Sequence, residues 1–204
     1  MSRINKTIAI AQTLTLVVFL SLMIPTFACS NGTQPNIKNF GQISDSYYRG
    51  AQPEGHDYAD LSAFGVHAVI NLTNGDGEAN EKSMVEGAGM KYYQIPMTTH
   101  VVPTPAQITE FLKIVNDPVN QPVYVHCVGG KHRTGVMTAV YRMTNGWDAD
   151  RSFQEMKQYK FGADFMHSEF KRFVYDYYGQ VSRVKTAPVA SAATTTTTLR
   201  TAVQ

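Results

Sequence analysis

"PVYVHCVGGKHRTGV", residues 122–136, begins as an apolar run, reaches a cysteine, passes two glycines and three basic side chains, and continues into a helical pattern. Val123 to His126 has the length and β-branched content of a buried strand. From about Thr134 the apolar residues recur at helical spacing. The segment therefore reads as strand, tight loop and helix, with Cys127 at the carboxyl end of the strand. That unit is the building block of a parallel sheet covered by helices.

The same alternation recurs on both sides of it. Ser46 to Arg49 is a short strand, closed by Gly50 and the turn Gln52-Pro53-Glu54-Gly55. A helix running to Phe64 stops at Gly65, as a C-terminal glycine would stop it. "VHAVINL" (66–72) reads as a buried strand, broken by Asn74-Gly75-Asp76-Gly77. A helix over 78–86 leads through Gly87 and Gly89 to the strand "MKYYQI" (90–95). Thr104-Pro105-Ala106-Gln107 then combines an N-cap, a proline at the first helical position and a glutamine at the third. Ile108, Phe111, Leu112 and Val115 give that helix one apolar face, and Asn116-Asp117-Pro118 ends it. Three further helices are predicted over 134–144, 149–159 (capped by Asp148) and 165–177. The expected fold is α/β, a mostly parallel central sheet flanked by helices, spanning residues 40–180. Ligands of such sheets bind beyond the carboxyl ends of the strands, which is where Cys127 stands.

Both ends of the chain differ from this pattern. Residues 1–28 read as an export signal: Arg3 and Lys6 precede an apolar run, Ile8 to Ile24, and Thr26-Phe27-Ala28 resembles a cleavage triplet. Cys29 follows it, where an exported lipoprotein would carry its lipid, although Thr26 and Phe27 fit that box poorly. Residues 29–39 read as a linker and 181–204 as a disordered tail rich in Ala and Thr. The expected location is periplasmic or secreted, with membrane contact only through the signal segment or a lipid on Cys29. A net charge of +2 implies no general attraction to nucleic acid, and the domain is expected to be a monomer. Two cysteines make no disulfide framework, and nothing has zinc-site spacing, so no metal or cofactor is expected.

The loop itself describes an oxyanion cradle. Gly129 and Gly130 allow the amides from Val128 to Arg133 to turn inward. The following helix aims its positive end at the same point. Arg133 supplies a rigid fork for two phosphate oxygens, and Lys131 and His132 add charge suited to a polyanion. This field would lower the Cys127 pKa and make the thiolate a nucleophile, with Thr134 donating a hydrogen bond to its sulfur. A thiolate at the floor of a phosphate site implies covalent catalysis through a phosphocysteine that water then hydrolyses.

His126-Cys127, five residues, then Arg133-Thr134 resembles the signature of the cysteine-dependent protein-tyrosine and dual-specificity phosphatases. "GKHRTGV" (130–136) is most similar to the small atypical dual-specificity group of plants and fungi and its bacterial relatives. The likeness extends from "YYRGAQP" (47–53) through "VINL" (69–72) to residues 146–156. It implies Cys127 as nucleophile, Arg133 as phosphate clamp, Thr134 as hydroxyl partner and His126 as a brace for the cysteine. It implies a metal-independent phosphatase acting on phosphotyrosine, phosphoprotein or inositol poly- or pyrophosphates, the last associated with the plant and fungal relatives. The alternative is a catalytically weak module that binds a phosphorylated ligand. Such phosphatases usually draw an aspartic acid from the loop that is here "PMTTHVVPT" (96–104), and it holds no carboxylate. His100 is its one titratable side chain. The acid is His100, or comes from elsewhere, such as Asp164, or the substrate needs none. Arg49 either reaches a phosphate or braces a turn. His56, His67, His167, Trp147 and the tyrosines of "FVYDYY" are expected to be ordinary surface or core residues.

Overall fold

The structure, a computed structural model, describes residues 33–163 and 166–186. The chain order is β1 (Gly41–Ser44), β2 (Tyr47–Gly50), α1 (Asp57–Ala63), β3 (Ala68–Asn71), α2 (Glu81–Gly87), β4 (Lys91–Gln94) and α3 (Pro105–Val115). After a 3-10 turn at Pro118–Asn120 follow β5 (Val123–His126), α4 (Arg133–Thr144), α5 (Ala149–Gln158) and α6 (Ser168–Thr186). The strands form one sheet in the order β1-β2-β5-β3-β4. β2, β5, β3 and β4 are mutually parallel, and β1 lies antiparallel on the β2 edge. The mostly parallel α/β sheet is as expected. β1 was not, because "GQIS" lacks the run of branched or aromatic residues that marks a strand.

Alternation along the strands sends their side chains to two cores. Ala68, Ile70, Val123 and Val125 face one side, where they meet Phe111 and Val115 of α3 and Met137 of α4. Val69 and Tyr124 face the other, against Tyr58 and Leu61 of α1 and Val85 of α2. A third cluster joins α4 to α5 and α6 through Val136, Met143, Phe153, Phe170 and Val174. A large apolar side chain taken wholly out of water contributes roughly 1.5–3 kcal/mol, whereas a helix cap contributes about 1 kcal/mol. Packing therefore sets the architecture, and the caps trim its helix ends. Two caps are as expected. Gln107 N–H donates to Thr104 Oγ1 while Thr104 N–H donates to Gln107 Oε1, and Arg151 N–H donates to Asp148 Oδ1 at 2.7 Å.

The domain limits are wider than residues 40–180. Ile37 is buried in the second core, and α6 continues to Thr186. Trp147 is half-buried and not core, clasped between the guanidiniums of Arg142 and Arg151 at 4.0 and 3.6 Å from its ring. The signal segment, Cys29, Asp164 and the residues after 186 lie outside the described residues. Among the described residues no helix is long and apolar enough to cross a membrane.

Candidate active site

Register places the site. Gly50 of β2 and Asn71 of β3 both pair with His126 at the end of β5, so three strands finish level and the chain leaves β5 at Cys127 between them. The side chains of β5 alternate: His126 points to the α1/α2 side and Cys127 to the α3/α4 side. His126 is fully buried, stacked on Tyr124 and 2.7 Å from Glu81 of α2, which is itself 1% exposed. Asn71 Nδ2 donates to the other Glu81 oxygen. His126 thus braces the cysteine from behind, and its partner is a residue that sequence reasoning passed over.

The loop from Cys127 to His132 is gripped from outside. Arg49 NH2 donates to Gly130 O at 2.6 Å, Asn39 Nδ2 donates to the same carbonyl at 2.8 Å, and Gln52 N–H donates to Val128 O at 3.2 Å. With these carbonyls turned outward, Lys131 N–H and Thr134 N–H point at the Cys127 sulfur. Gly130 N–H is not in the cradle; it donates back to Cys127 O at 3.3 Å. Gly130 has φ +62°, and a Cβ there would sit 2.3 Å from the Gly50 carbonyl, so this position requires glycine. Gly129 carries no such requirement, since a Cβ on it would meet only the Lys131 stem at 3.7 Å. Arg49 is fully buried with its guanidinium 4.1 Å over the Tyr159 ring, so it is the brace and not a phosphate ligand.

Cys127 is 3% exposed. Burial pushes its thiol pKa up, but the Thr134 hydroxyl, the Thr134 and Lys131 amides and the Arg133 charge outweigh burial and leave it below the usual thiol value. Thr134 Oγ1 is buried and committed to no other group, and its hydroxyl is among those that lower the thiol pKa. Arg133 is 4% exposed. Its NH1 donates to Met97 O at 3.1 Å and to Asp76 Oδ1 at 2.9 Å, while NH2 donates to Asp76 Oδ2 at 2.7 Å. The fork is thus filled by a carboxylate, and Arg133 holds the Asp76 carboxyl down to about 2.

The thiol opens into a cleft of about 380 Å³ lined by Cys127, Val128, Gly129, Lys131, His132 and Arg133, with Asp76 and Thr99 from two other loops. His100 is absent from that lining. Its side chain is 69% exposed, with Nδ1 3.4 Å from Glu169 and its ring stacked on His167. A carboxylate does line the cleft, but it comes from the turn after β3 and is bound to Arg133, so it does not replace the acid missing from the 96–104 loop. Asp76 looked like part of a strand-breaking turn, and its one signal was position, at the carboxyl end of a parallel strand. His132 lines the cleft but adds no cation to it. Burial first, then the charge of His167, push its pKa below the ordinary imidazole value, and its Nε2 lies 3.0 Å from Phe161 O. His167, expected to be unremarked, packs between His132 and His100. Lys131 is the other basic residue of the rim.

A family model described as "DSP-PTPase phosphatase fused to NAD+ Kinase" matches residues 22–174. The chain is 27% identical over 125 residues to a probable tyrosine-protein phosphatase, DG1060, of Dictyostelium discoideum, covering 59% of this chain and 75% of that protein. It is 26% identical over 162 residues to the inositol diphosphatase SIW14 of Saccharomyces cerevisiae, covering 77% of this chain but only 53% of the yeast protein. Among solved structures, the core catalytic domain of SIW14 with citrate superposes with TM-score 0.61 at 24% identity, over 72% of this chain and 91% of that one. A complex of Pseudomonas aeruginosa TpbA with pTyr gives TM-score 0.61 at 24% identity, over 76% of this chain and 94% of that one. These structures share the fold described above.

Proposed function

The chain belongs to the DSP-PTPase family of cysteine phosphatases, and from that premise we propose that it hydrolyses phosphate esters or anhydrides through a phosphocysteine on Cys127. The observation that carries this reading is the buried Cys127 thiol with its lowered pKa, in one cleft with the Arg133 fork. In the reaction Cys127 Sγ attacks phosphorus in line, the S–P bond forms, and the P–O bond breaks with its electron pair leaving on oxygen. Water then attacks phosphorus, releases orthophosphate and restores the thiolate. Arg133 and the inward amides hold the equatorial oxygens, which supplies the charge neutralisation that a metal provides elsewhere. Thr134 hydrogen-bonds the sulfur as it departs.

The substrate we favour carries more than one phosphate, on the inositol diphosphate pattern named for the yeast and plant relatives. Lys131 at the cleft rim and the absence of His100 from its lining both support this, because an anhydride oxygen leaves as a weak base and needs little protonation. Phosphotyrosine, found bound to TpbA, is the second reading; a phenolate is also a stable leaving group. Action outside the cytoplasm is supported by the sequence of residues 1–28. Rapid quenching with radiolabelled substrate tests the mechanism: a phosphoenzyme stable to denaturation should form in the wild type and be absent from Cys127→Ser. A wild type that turns over without any trapped phosphoenzyme would exclude the covalent route. Comparing kcat/KM for inositol pyrophosphates with that for phosphotyrosine ranks the two substrates.

A further inference from the structure

The cleft contains a carboxylate that the proposed reaction does not use, and it stands where the phosphate must go. Arg133 offers a planar fork whose fit to two oxygens is the reason an arginine serves there. Both arms of that fork are engaged by Asp76, at 2.9 and 2.7 Å. A carboxylate with two oxygens on one guanidinium is the nearest thing a protein has to a bound phosphate edge. We infer that Asp76 is an internal oxyanion, which in the resting protein occupies the phosphate's place on Arg133 and is exchanged for the substrate's phosphate on binding. The inference rests on the cleft being the phosphate site proposed above.

Which partner yields is fixed by what else holds each. The Arg133 side chain is 5% exposed and also donates to the backbone carbonyl of Met97, so moving it would leave a buried cation without partners. The Asp76 side chain is 48% exposed and stands on the Asn74-Gly75-Asp76-Gly77 turn, where Gly75 has φ +78° and Asn74 N–H donates to Asp76 Oδ1 at 2.9 Å. That one further bond is exposed, so water can replace it on both sides when the carboxylate swings out. The fork stays and the carboxylate leaves.

Exchange sets a threshold for binding. Every anion that uses Arg133 must displace the same carboxylate, so each is weakened by the same factor. Orthophosphate released as product, or any single small oxyanion, is then held weakly and leaves. A substrate with a further phosphate in reach of Lys131 keeps enough affinity to bind.

The test is direct binding of orthophosphate at neutral pH, by calorimetry, to the full chain carrying Cys127→Ser, with and without Asp76→Asn. Removing a half-exposed competing charge should tighten orthophosphate binding by about tenfold, the order expected of a bidentate charged pair discounted for solvent. Asp76→Ala, which has no amide to engage the fork, should tighten it at least as much. Equal or weaker affinity in both variants would overturn the exchange while leaving the phosphate site standing. No orthophosphate binding to any of the three proteins, at any accessible concentration, would overturn both the exchange and the phosphate-site reading.

Discussion

Gly130→Ala is the substitution on which the geometry of the loop speaks most sharply. The new Cβ would lie 2.3 Å from both the carbon and the oxygen of the Gly50 carbonyl and 2.6 Å from Ala51 N, all backbone atoms that cannot rotate away. Restoring ordinary contact, from about 3.4 Å upward, requires the loop to move about 1 Å away from β2. That movement pulls Gly130 O off Arg49 and Asn39, which hold it at 2.6 and 2.8 Å. Retaining φ +62° with a Cβ costs a further ~1–2 kcal/mol. Together the clash, the backbone strain and the loosened bonds should cost at least about 2 kcal/mol, or roughly 4–8 °C in Tm for a domain of this size. A 1 Å misplacement of catalytic groups costs on the order of a hundredfold in rate, so turnover of nitrophenyl phosphate should fall by about that factor. Gly129→Ala is the matched control: with only a 3.7 Å contact to a flexible lysine stem, it should melt and turn over like the wild type. The two alanines are one residue apart and chemically identical, so only the close approach to β2 and the positive φ at Gly130 can distinguish them. Wild-type melting and turnover in Gly130→Ala, or equal damage from both variants, would refute the reasoning.

Three other expectations follow from the site. Because the Cys127 pKa is lowered in the folded state, native alkylation by iodoacetamide should reach its plateau at lower pH than in the urea-unfolded chain, whose thiol titrates near 8.5; by the same linkage, stability from this group is complete above the unfolded pKa and is lost as pH falls through the folded one. A native midpoint at or above the unfolded one would contradict the electrostatics assigned to the loop. His100→Ala should leave kcat within about twofold for both aryl and alkyl phosphates, since His100 is outside the cleft; a hundredfold loss confined to alkyl substrates would restore it as the general acid. Glu81→Ala strips a buried carboxylate from His126 and Asn71 and should cost ~3–5 kcal/mol in urea unfolding, and a loss below about 1 kcal/mol would mean the pair carries no weight.

Legibility followed range. The run of Val69 and Ile70, the Thr104 cap and the strand-loop-helix at 123–144 declare themselves within a few residues, and each is where the sequence places it. β1 was hidden because an edge strand is made by its partner, not by its own composition. α6 was expected to be shorter at its C-terminal end, since the helical pattern fades before Thr186. At the site, Cys127, Arg133 and Thr134 could be named from local spacing. Asp76 could not, because nothing in "NGDG" says that a guanidinium 57 residues away will reach it. The reverse error befell His132 and Gly129, whose local chemistry promised a cation and a necessary glycine. Burial and the His167 neighbour push the His132 pKa down, and a Cβ on Gly129 would meet only the Lys131 stem.

The outward grip on the loop also settles when the protein becomes reactive. Gly130 is tied to Arg49 across 81 residues of chain and to Asn39 across 91, and the guanidinium beside the sulfur is seated by a residue 57 positions earlier. Contacts this distant in sequence form late, after the entropy of closing long loops has been met. A nascent or half-folded chain therefore lacks the groups that lower the Cys127 pKa, and its thiol is the less reactive toward oxidants or electrophiles. The shift toward thiolate is made only when these distant segments meet, so the nucleophile is armed by completion of the fold and disarmed by its loss.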